Sequence, residues 1–228
     1  MSGAEKRAPV ITIDGPAGAG KSTVARELAQ RLALKLVDTG ALYRGIAWAT
    51  RQAGIAPEEG PALRGLLDRT TVDLSDDRVL VDGRDVTDEI RTPEITALTS
   101  RLTTLGPVRD KMTPFQRALA AQGGVVLEGR DTGTVVWPEA EIKFYLDADL
   151  ETRAFRRQKD LRARGVEMEL GAVADELDRR DRQDMSRALA PLTRPGGAVV
   201  LDSTGLSIDG VLEAMLKVVE QAWCCTRS

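Results

Sequence analysis

The chain has 228 residues, a formal net charge of −3 and a hydrophobic fraction of 42%. This length can bury one large α/β core, and we expect one domain with an insertion, residues 10–228, behind a flexible tail at residues 1–9. The mild negative charge argues against a basic surface for duplex nucleic acid. The apolar runs are too short to cross a membrane and no secretory signal is evident, so we expect a cytoplasmic protein.

Two residue types are missing from the whole sequence, histidine and asparagine. Without histidine, Ser-His-Asp hydrolysis, histidine-ligated zinc and histidine general-base catalysis are excluded. Without asparagine, the protein-kinase catalytic loop cannot exist in its standard form. The adjacent cysteines Cys224 and Cys225 predict neither a disulfide framework nor a zinc site. Phosphoryl transfer by positioning remains open, because it does not strictly need a histidine.

The first predicted strand, residues 10–13, leads into a complete G-x-x-x-x-G-K-[ST] motif and then a helix over residues 21–33. In that context the backbone N–H groups cradle a triphosphate, Lys21 neutralises its β and γ phosphates, and the Ser22 hydroxyl can hold Mg²⁺. A glycine-rich turn with an incidental lysine is the alternative. The predicted ATP-binding residues are Gly15, Pro16, Ala17, Gly18, Ala19, Gly20, Lys21, Ser22 and Thr23.

Further along the chain, short apolar runs alternate with helical patterns. Strands are predicted at residues 34–37, 125–127, 142–146 and 199–201, and a second helix at residues 41–53. Most of these runs end in an acid or a polar turn. This pattern predicts a parallel sheet covered by helices on both faces, with a ligand crevice at the carboxyl ends of its strands.

Two regions break the alternation. Residues 63–94 read as a small antiparallel β insert, with turns at residues 76–77 and 82–85. Residues 151–187 are dense in arginine with interleaved acids, which is typical either of solvated helices with i,i+4 ion pairs or of a mobile lid that places guanidinium groups on phosphates. Within this region Arg180, Asp184 and Arg187 have the spacing of one helical face.

Two clusters follow predicted strands. In residues 38–44, Asp38 or Thr39 is expected to cap a helix, and Arg44 is assigned to an incoming phosphate. Residues 128–134 place Arg130 between acids directly after a buried strand, which favours a site over a simple loop of turn-forming residues.

In these motifs the sequence resembles the bacterial cytidylate kinase family over nearly its whole length. The matching stretches are the phosphate loop and residues 38–44, 90–94, 108–109, 128–136, 180–192 and 201–204. The resemblance implies a nucleoside-monophosphate-kinase fold with a nucleotide-binding insert at residues 63–102 and a lid at 151–187. It further implies transfer of the ATP γ-phosphate to CMP or dCMP with Mg²⁺.

The resemblance also implies roles for individual residues. Thr39, Arg44 and Arg130 meet the acceptor phosphate, Ser100, Arg109 and Asp131 the cytosine, Arg180 and Asp184 the sugar, and Arg187 reaches towards the phosphates. Asp38 completes the expected CMP site, and the residues expected to act in catalysis are Lys21, Arg130, Arg153, Arg157 and Arg187.

Many relatives carry aspartate where this chain has Glu128 and serine where it has Thr39. Both changes keep the acid or the hydroxyl, so they bear only on the detailed Mg²⁺ geometry. Three alternatives stay open: another small-molecule P-loop kinase, a P-loop ATPase switch, and a non-enzymatic interaction protein on the same fold. We expect a monomer.

Overall fold

The computed structural model describes residues 8–75 and 78–225, with side chains through residue 223. The expected tail at residues 1–9, the turn at 76–77 and the Cys224 and Cys225 side chains therefore lie partly or wholly outside the described residues. The main elements are β1 Val10–Asp14, α1 Lys21–Arg31, β2 Lys35–Asp38, α2 Thr39–Gln52, α3 Pro61–Arg69, β3 Val72–Ser75, β4 Arg78–Val81, β5 Arg84–Asp85, α4 Pro93–Leu102, α5 Gly106–Ala121, β6 Val125–Glu128, β7 Ile142–Asp147, α6 Leu150–Arg162, α7 Leu170–Ser186, β8 Val199–Asp202 and α8 Ile208–Cys225.

The central sheet has five parallel strands in the order β2-β6-β1-β7-β8. Each of its strands was predicted from an apolar run, so the α/β fold class is confirmed. The carboxyl ends of β1, β2 and β6 lie in register, with Asp38 opposite Glu128 and Ile13 opposite Glu128 across the two ladders. The loops that follow these strands therefore meet at one edge of the sheet.

Helices cover both faces of this sheet. On one face α1 and α8 pack against apolar side chains such as Ile11 and Phe144, and on the other α2 and α5 pack against Val125 and Leu127. The two faces take alternate residues of the same strands, as expected for strands buried on both sides. None of the described helices is long and apolar enough to cross a membrane.

The insert after α2 is only partly the β structure that was predicted. Its antiparallel sheet is formed by β3, β4 and β5, whereas the flanking parts of 63–94 form α3, a 3₁₀ turn at Glu89–Arg91 and the start of α4. The turn expected at 82–85 is confined to Asp82 and Gly83, which have positive φ, and the next two residues pair as β5. The helix was missed because a nine-residue element leaves little periodicity to detect.

The arginine-rich region folds into the helical pair α6 and α7, which has its own small apolar core around Ala154, Leu161, Val173 and Leu177. Ala17 of the phosphate loop belongs to the same core, so the pair is seated directly on that loop. The spacing had predicted that Arg187 shares a helical face with Arg180 and Asp184. In the structure Arg187 instead lies one residue beyond the end of α7.

Candidate active site

The phosphate loop, residues 15–22, curls between β1 and α1 because its glycines adopt left-handed backbone angles. Gly15, Gly18 and Gly20 have φ angles of 147°, 78° and 90°. At Gly15 a Cβ atom would lie 2.0 Å from the carbonyl oxygen of Leu146, so a side chain cannot be accommodated. The backbone N–H groups of the loop lie at the start of α1, where both they and the helix dipole favour the binding of an anion.

Lys21 and Glu128 are buried together beside this loop. The Lys21 ammonium donates to the carbonyl of Pro16 at 2.6 Å, and its Nζ lies 3.9 Å from Glu128 Oε1. Burial, with Arg130 as the next cause, lowers the pKa of Lys21 to about 7. Burial, with Asp38 as the next cause, raises the pKa of Glu128 to about 7. Perturbed pKa values of this kind are typical of functional sites.

Several arginines crowd the same region. Burial followed by the charge of Arg130 lowers the pKa of Arg180 to about 9, and burial lowers the pKa of Arg44. Burial acts to lower the pKa of Arg130 as well, but Asp184 and Glu128 outweigh it and raise that pKa. The cations thus repel one another here, and an anionic ligand would relieve the repulsion.

Five side chains of alternating charge, here called the charge ladder, cross the site in the order Arg130, Asp184, Arg187, Asp131 and Arg109. The successive nitrogen–oxygen distances are 3.2, 3.4, 3.2 and 3.0 Å. The members come from the loop after β6, from the carboxyl end of α7 and from α5. The ladder therefore holds three separate parts of the chain in one arrangement.

Polar atoms without partners lie at the Arg109 end of the ladder. Arg109 donates through Nη1 to Asp131 and through Nε to the Thr103 carbonyl, but its Nη2 is buried with no hydrogen-bond partner among the described residues. The Ser100 hydroxyl is in the same condition. Since an unsatisfied buried polar group costs free energy, these atoms mark a place for a polar ligand.

The lid arginines differ in what they contact. Arg153 is tied to the phosphate loop: it donates to the Ala17 carbonyl at 3.0 Å and pairs with Asp181, which in turn accepts from the Ala17 N–H at 3.0 Å. Arg156 and Arg157 line the cavity instead. Arg156 also donates twice to Ser203, through the hydroxyl at 2.9 Å and the carbonyl at 2.8 Å.

Most of these groups surround one cavity of about 540 Å³. The structure does not bring Gly15, Pro16 or Arg153 to the cavity wall. Thr39 lines it, but its hydroxyl donates to the Glu128 carbonyl at 2.7 Å. The predicted site residues that do line it are Ala17, Gly18, Ala19, Gly20, Lys21, Ser22, Thr23, Asp38, Thr39, Arg44, Ser100, Arg109, Arg130, Asp131, Arg157, Arg180, Asp184 and Arg187.

Sequence reasoning missed two contributors. Arg156 carried the same signal as the other lid arginines and was not singled out. Asp14, the last residue of β1, is fully buried and accepts three hydrogen bonds from the loop after β6. Only its position, an acid at the end of an apolar strand, could have indicated it.

A parallel sheet with a phosphate loop after its first strand, a buried loop lysine and a surrounding cluster of arginines defines a P-loop kinase of the α/β class. A solved gluconokinase from Sinorhizobium meliloti shares the fold, with a TM-score of 0.50 and 17% identity over 97% of this chain and 98% of that one. Beyond this class, the chain belongs to the cytidylate kinase family, whose model matches residues 11–221.

Individual relatives agree with this assignment and confirm the resemblance seen in the motifs. The chain is 47% identical to a cytidylate kinase of Geobacter sulfurreducens, with 97% of each chain covered. It is 41% identical to a cytidylate kinase of Coxiella burnetii, with 97% of this chain and 96% of the relative covered.

Proposed function

We propose that this protein transfers the γ-phosphate of ATP to CMP or dCMP, giving ADP and CDP or dCDP. The observation that carries the proposal is the charge ladder. It joins the cations beside the phosphate loop to buried polar atoms that have no hydrogen-bond partner in the part of the chain that the structure describes. Cytosine presents an amine donor beside ring acceptors. The Asp131 carboxylate complements the donor, and Arg109 Nη2 with the Ser100 hydroxyl complements the acceptors.

The acceptor needs little activation in this site. A nucleotide phosphate has a second pKa near 6, so its attacking oxygen is largely deprotonated at neutral pH. A general base is then unnecessary, which agrees with the absence of histidine from the sequence. What the chain must supply is position: Arg44, Arg130 and Arg180 line the same cavity as Lys21 and as the atoms proposed to bind the base.

The donor side rests on the phosphate loop and Lys21. Developing charge on the transferred group is stabilised by a buried ammonium and by the N-terminal amides of α1, which are held in place before the reaction. Arg156 and Arg157 face the same cavity from the lid, and we assign them, in place of Arg153, to the phosphates of the donor. Arg153 keeps the phosphate loop in shape.

The side-chain oxygen atoms beside Lys21 are suitable ligands for Mg²⁺. Ser22 Oγ lies 3.2 Å from Glu128 Oε2, so a hydroxyl and a carboxylate stand side by side next to Lys21. Mg²⁺ prefers a few hard oxygen ligands of this kind together with phosphates and waters. No group of three or more acidic or sulfur side chains in the described residues could hold a metal alone. Ser22 and Glu128 would therefore hold the ion with the nucleotide, where it neutralises phosphate charge.

The test is a coupled assay of ADP release with ATP as donor and CMP, dCMP, UMP, AMP and shikimate as separate acceptors. We expect CMP and dCMP to give the highest kcat/KM. A preference for AMP or shikimate would assign the protein to another type of small-molecule kinase. ATP turnover that is independent of every acceptor would instead favour an ATPase switch.

A further inference from the structure

A short helical turn with π-type hydrogen bonding, Thr132–Val136, follows the two ladder residues Arg130 and Asp131. Its first backbone N–H groups need an acceptor, as at the start of any helix. The residue before such a turn ordinarily supplies one from its own side chain, and aspartate is among the best at doing so. Asp131 occupies that position here, yet its side chain makes no capping hydrogen bond.

The acceptor comes from Asp14, which lies 118 residues earlier in the chain. Its Oδ1 accepts from the Thr132 N–H at 2.9 Å and from the Thr132 hydroxyl at 2.8 Å, and its Oδ2 accepts from the Gly133 N–H at 2.7 Å. Asp14 is 0% exposed. All three donors therefore depend on this one carboxylate in a place that water does not reach.

The backbone approaches closely enough for these bonds only because residue 133 is glycine. A Cβ atom there would lie 2.7 Å from Thr12 Oγ1 and 3.3 Å from Asp14 Oδ2. The end of β1 and the start of the turn therefore pack directly against each other, with no room for a side chain at residue 133.

The consequence for the site concerns Asp131. Because the turn is capped from β1, the Asp131 carboxylate is left to pair through one oxygen with Arg109 and through the other with Arg187. Resting on the proposed function, we propose that Asp14 is a positioning residue for acceptor selectivity: by capping the turn it keeps the Asp131 carboxylate directed at the base.

Asp14→Asn tests this with almost no change of volume. Asparagine offers one acceptor oxygen, and its NH₂ group would face the N–H donors, so Asp131 becomes the alternative cap. We expect the ratio of kcat/KM for CMP to that for UMP to fall by about tenfold or more, mainly through KM for CMP. KM for ATP should stay within about twofold of the wild-type value on the same reasoning.

Two companion variants separate positioning from general destabilisation. Ile13→Val removes one methyl group from the neighbouring fully buried residue of β1 and should lower Tm while leaving the CMP/UMP ratio unchanged. Thr132→Val removes only the hydroxyl donor and should lower the ratio less than Asp14→Asn, giving a second readout if that variant does not fold.

An unchanged CMP/UMP ratio in folded Asp14→Asn, or in Thr132→Val if Asp14→Asn does not fold, would overturn the inference. So would an equal fall of the ratio in Ile13→Val. If the wild-type protein itself fails to phosphorylate CMP, it is the proposed function that fails, so the two failures are distinguishable.

Discussion

Arg109 Nη1 lies 3.0 Å from Asp131 Oδ2, and both side chains are buried. Uracil has a carbonyl where cytosine has an amine, so an Asp131 carboxylate facing that position attracts one base and repels the other. Asp131→Ala should therefore lower kcat/KM for CMP more than for UMP. The ratio of kcat/KM for CMP to that for UMP should fall by roughly ten- to a hundredfold, which corresponds to about 1 to 3 kcal/mol.

Arg109→Ala is the matched comparison, because in the proposed function Arg109 donates to ring acceptors, and both pyrimidines present the O2 carbonyl among them. It should depress kcat/KM for CMP and UMP alike, as measured in the same coupled assay. If Asp131→Ala also depresses the two substrates equally, Asp131 acts by orienting Arg109 and Arg187 and does not read the base.

The second prediction separates two arginines on α6. Arg153 is paired with buried Asp181, and removing one member of a buried ion pair costs about 3 to 5 kcal/mol. Arg153→Met should lower Tm by roughly 6 to 20 °C in a chain of this size. Arg157→Met, which removes a cavity-lining cation, should leave Tm nearly unchanged and reduce kcat by about a hundredfold or more.

Thermal unfolding and steady-state kinetics on the two variants decide the matter. A stable Arg153→Met protein with reduced kcat would return Arg153 to the catalytic role predicted from the sequence. In that case the contacts of Arg153 with the phosphate loop would be secondary.

The contrast between these two arginines shows where prediction from the sequence stops. The five strands and the phosphate loop were predictable because each is a local pattern: an apolar run, a turn signal or a fixed spacing. The same holds for the cap at Asp38, whose side chain accepts from the Ala41 N–H at 2.8 Å. Arg153 and Arg157 have the same chemistry and lie four residues apart on α6, which places them on the same side of the helix. Only tertiary packing therefore decides which one is tied to the phosphate loop.

The backbone turn after Asp131 is a second feature that could not be predicted from the sequence. Its residues, Thr132–Val136, include β-branched types that favour strands, and nothing local indicates a helical turn. Its cap is contributed by Asp14, and a partner so distant in the chain leaves no periodicity to detect. For that reason most of the residues predicted for the site do line the cavity, whereas their hydrogen-bond partners were not predictable.

The third prediction concerns the lid. The helical pair α6–α7 reaches the insert through Gln183, whose side-chain amide donates to the Ser100 carbonyl at 2.8 Å. When both nucleotides are bound, the cavity-lining lid arginines gain anionic partners, so hydrogen exchange over residues 151–171 should slow. The measurement is exchange detected by mass spectrometry with ATP alone, CMP alone and a bisubstrate analogue. Identical protection with and without ligand would show that the helical pair is static.

The fourth prediction is that Lys21→Ala lowers kcat by about a thousandfold or more, because a cation aimed at developing phosphate charge contributes roughly 3 to 4 kcal/mol. The protein should stay folded, since Lys21 is a buried charge that costs stability when no ligand is present. Circular dichroism checks the fold and the ADP-release assay checks the rate. Turnover near the wild-type rate in a folded variant would end the kinase assignment.

The last prediction follows from the lowered pKa of Lys21. In the unfolded chain Lys21 keeps its proton up to its ordinary pKa of 10.5, but in the folded protein only up to a pKa of about 7. Between these values the unfolded state binds more protons, so the contribution of Lys21 to the free energy of unfolding rises with pH. Glu128 has the opposite sign: its pKa is raised from 4.5 to about 7, so its contribution to the free energy of unfolding falls as pH rises from the lower value through the higher one, and most of that fall has occurred by pH 7. We therefore expect urea unfolding of the nucleotide-free wild type to give a higher free energy of unfolding at pH 9 than at pH 7. The same increase should be smaller in Lys21→Met. An equal change in both proteins would mean that Lys21 keeps its proton in the folded state, and the pH dependence would then have to come from other groups.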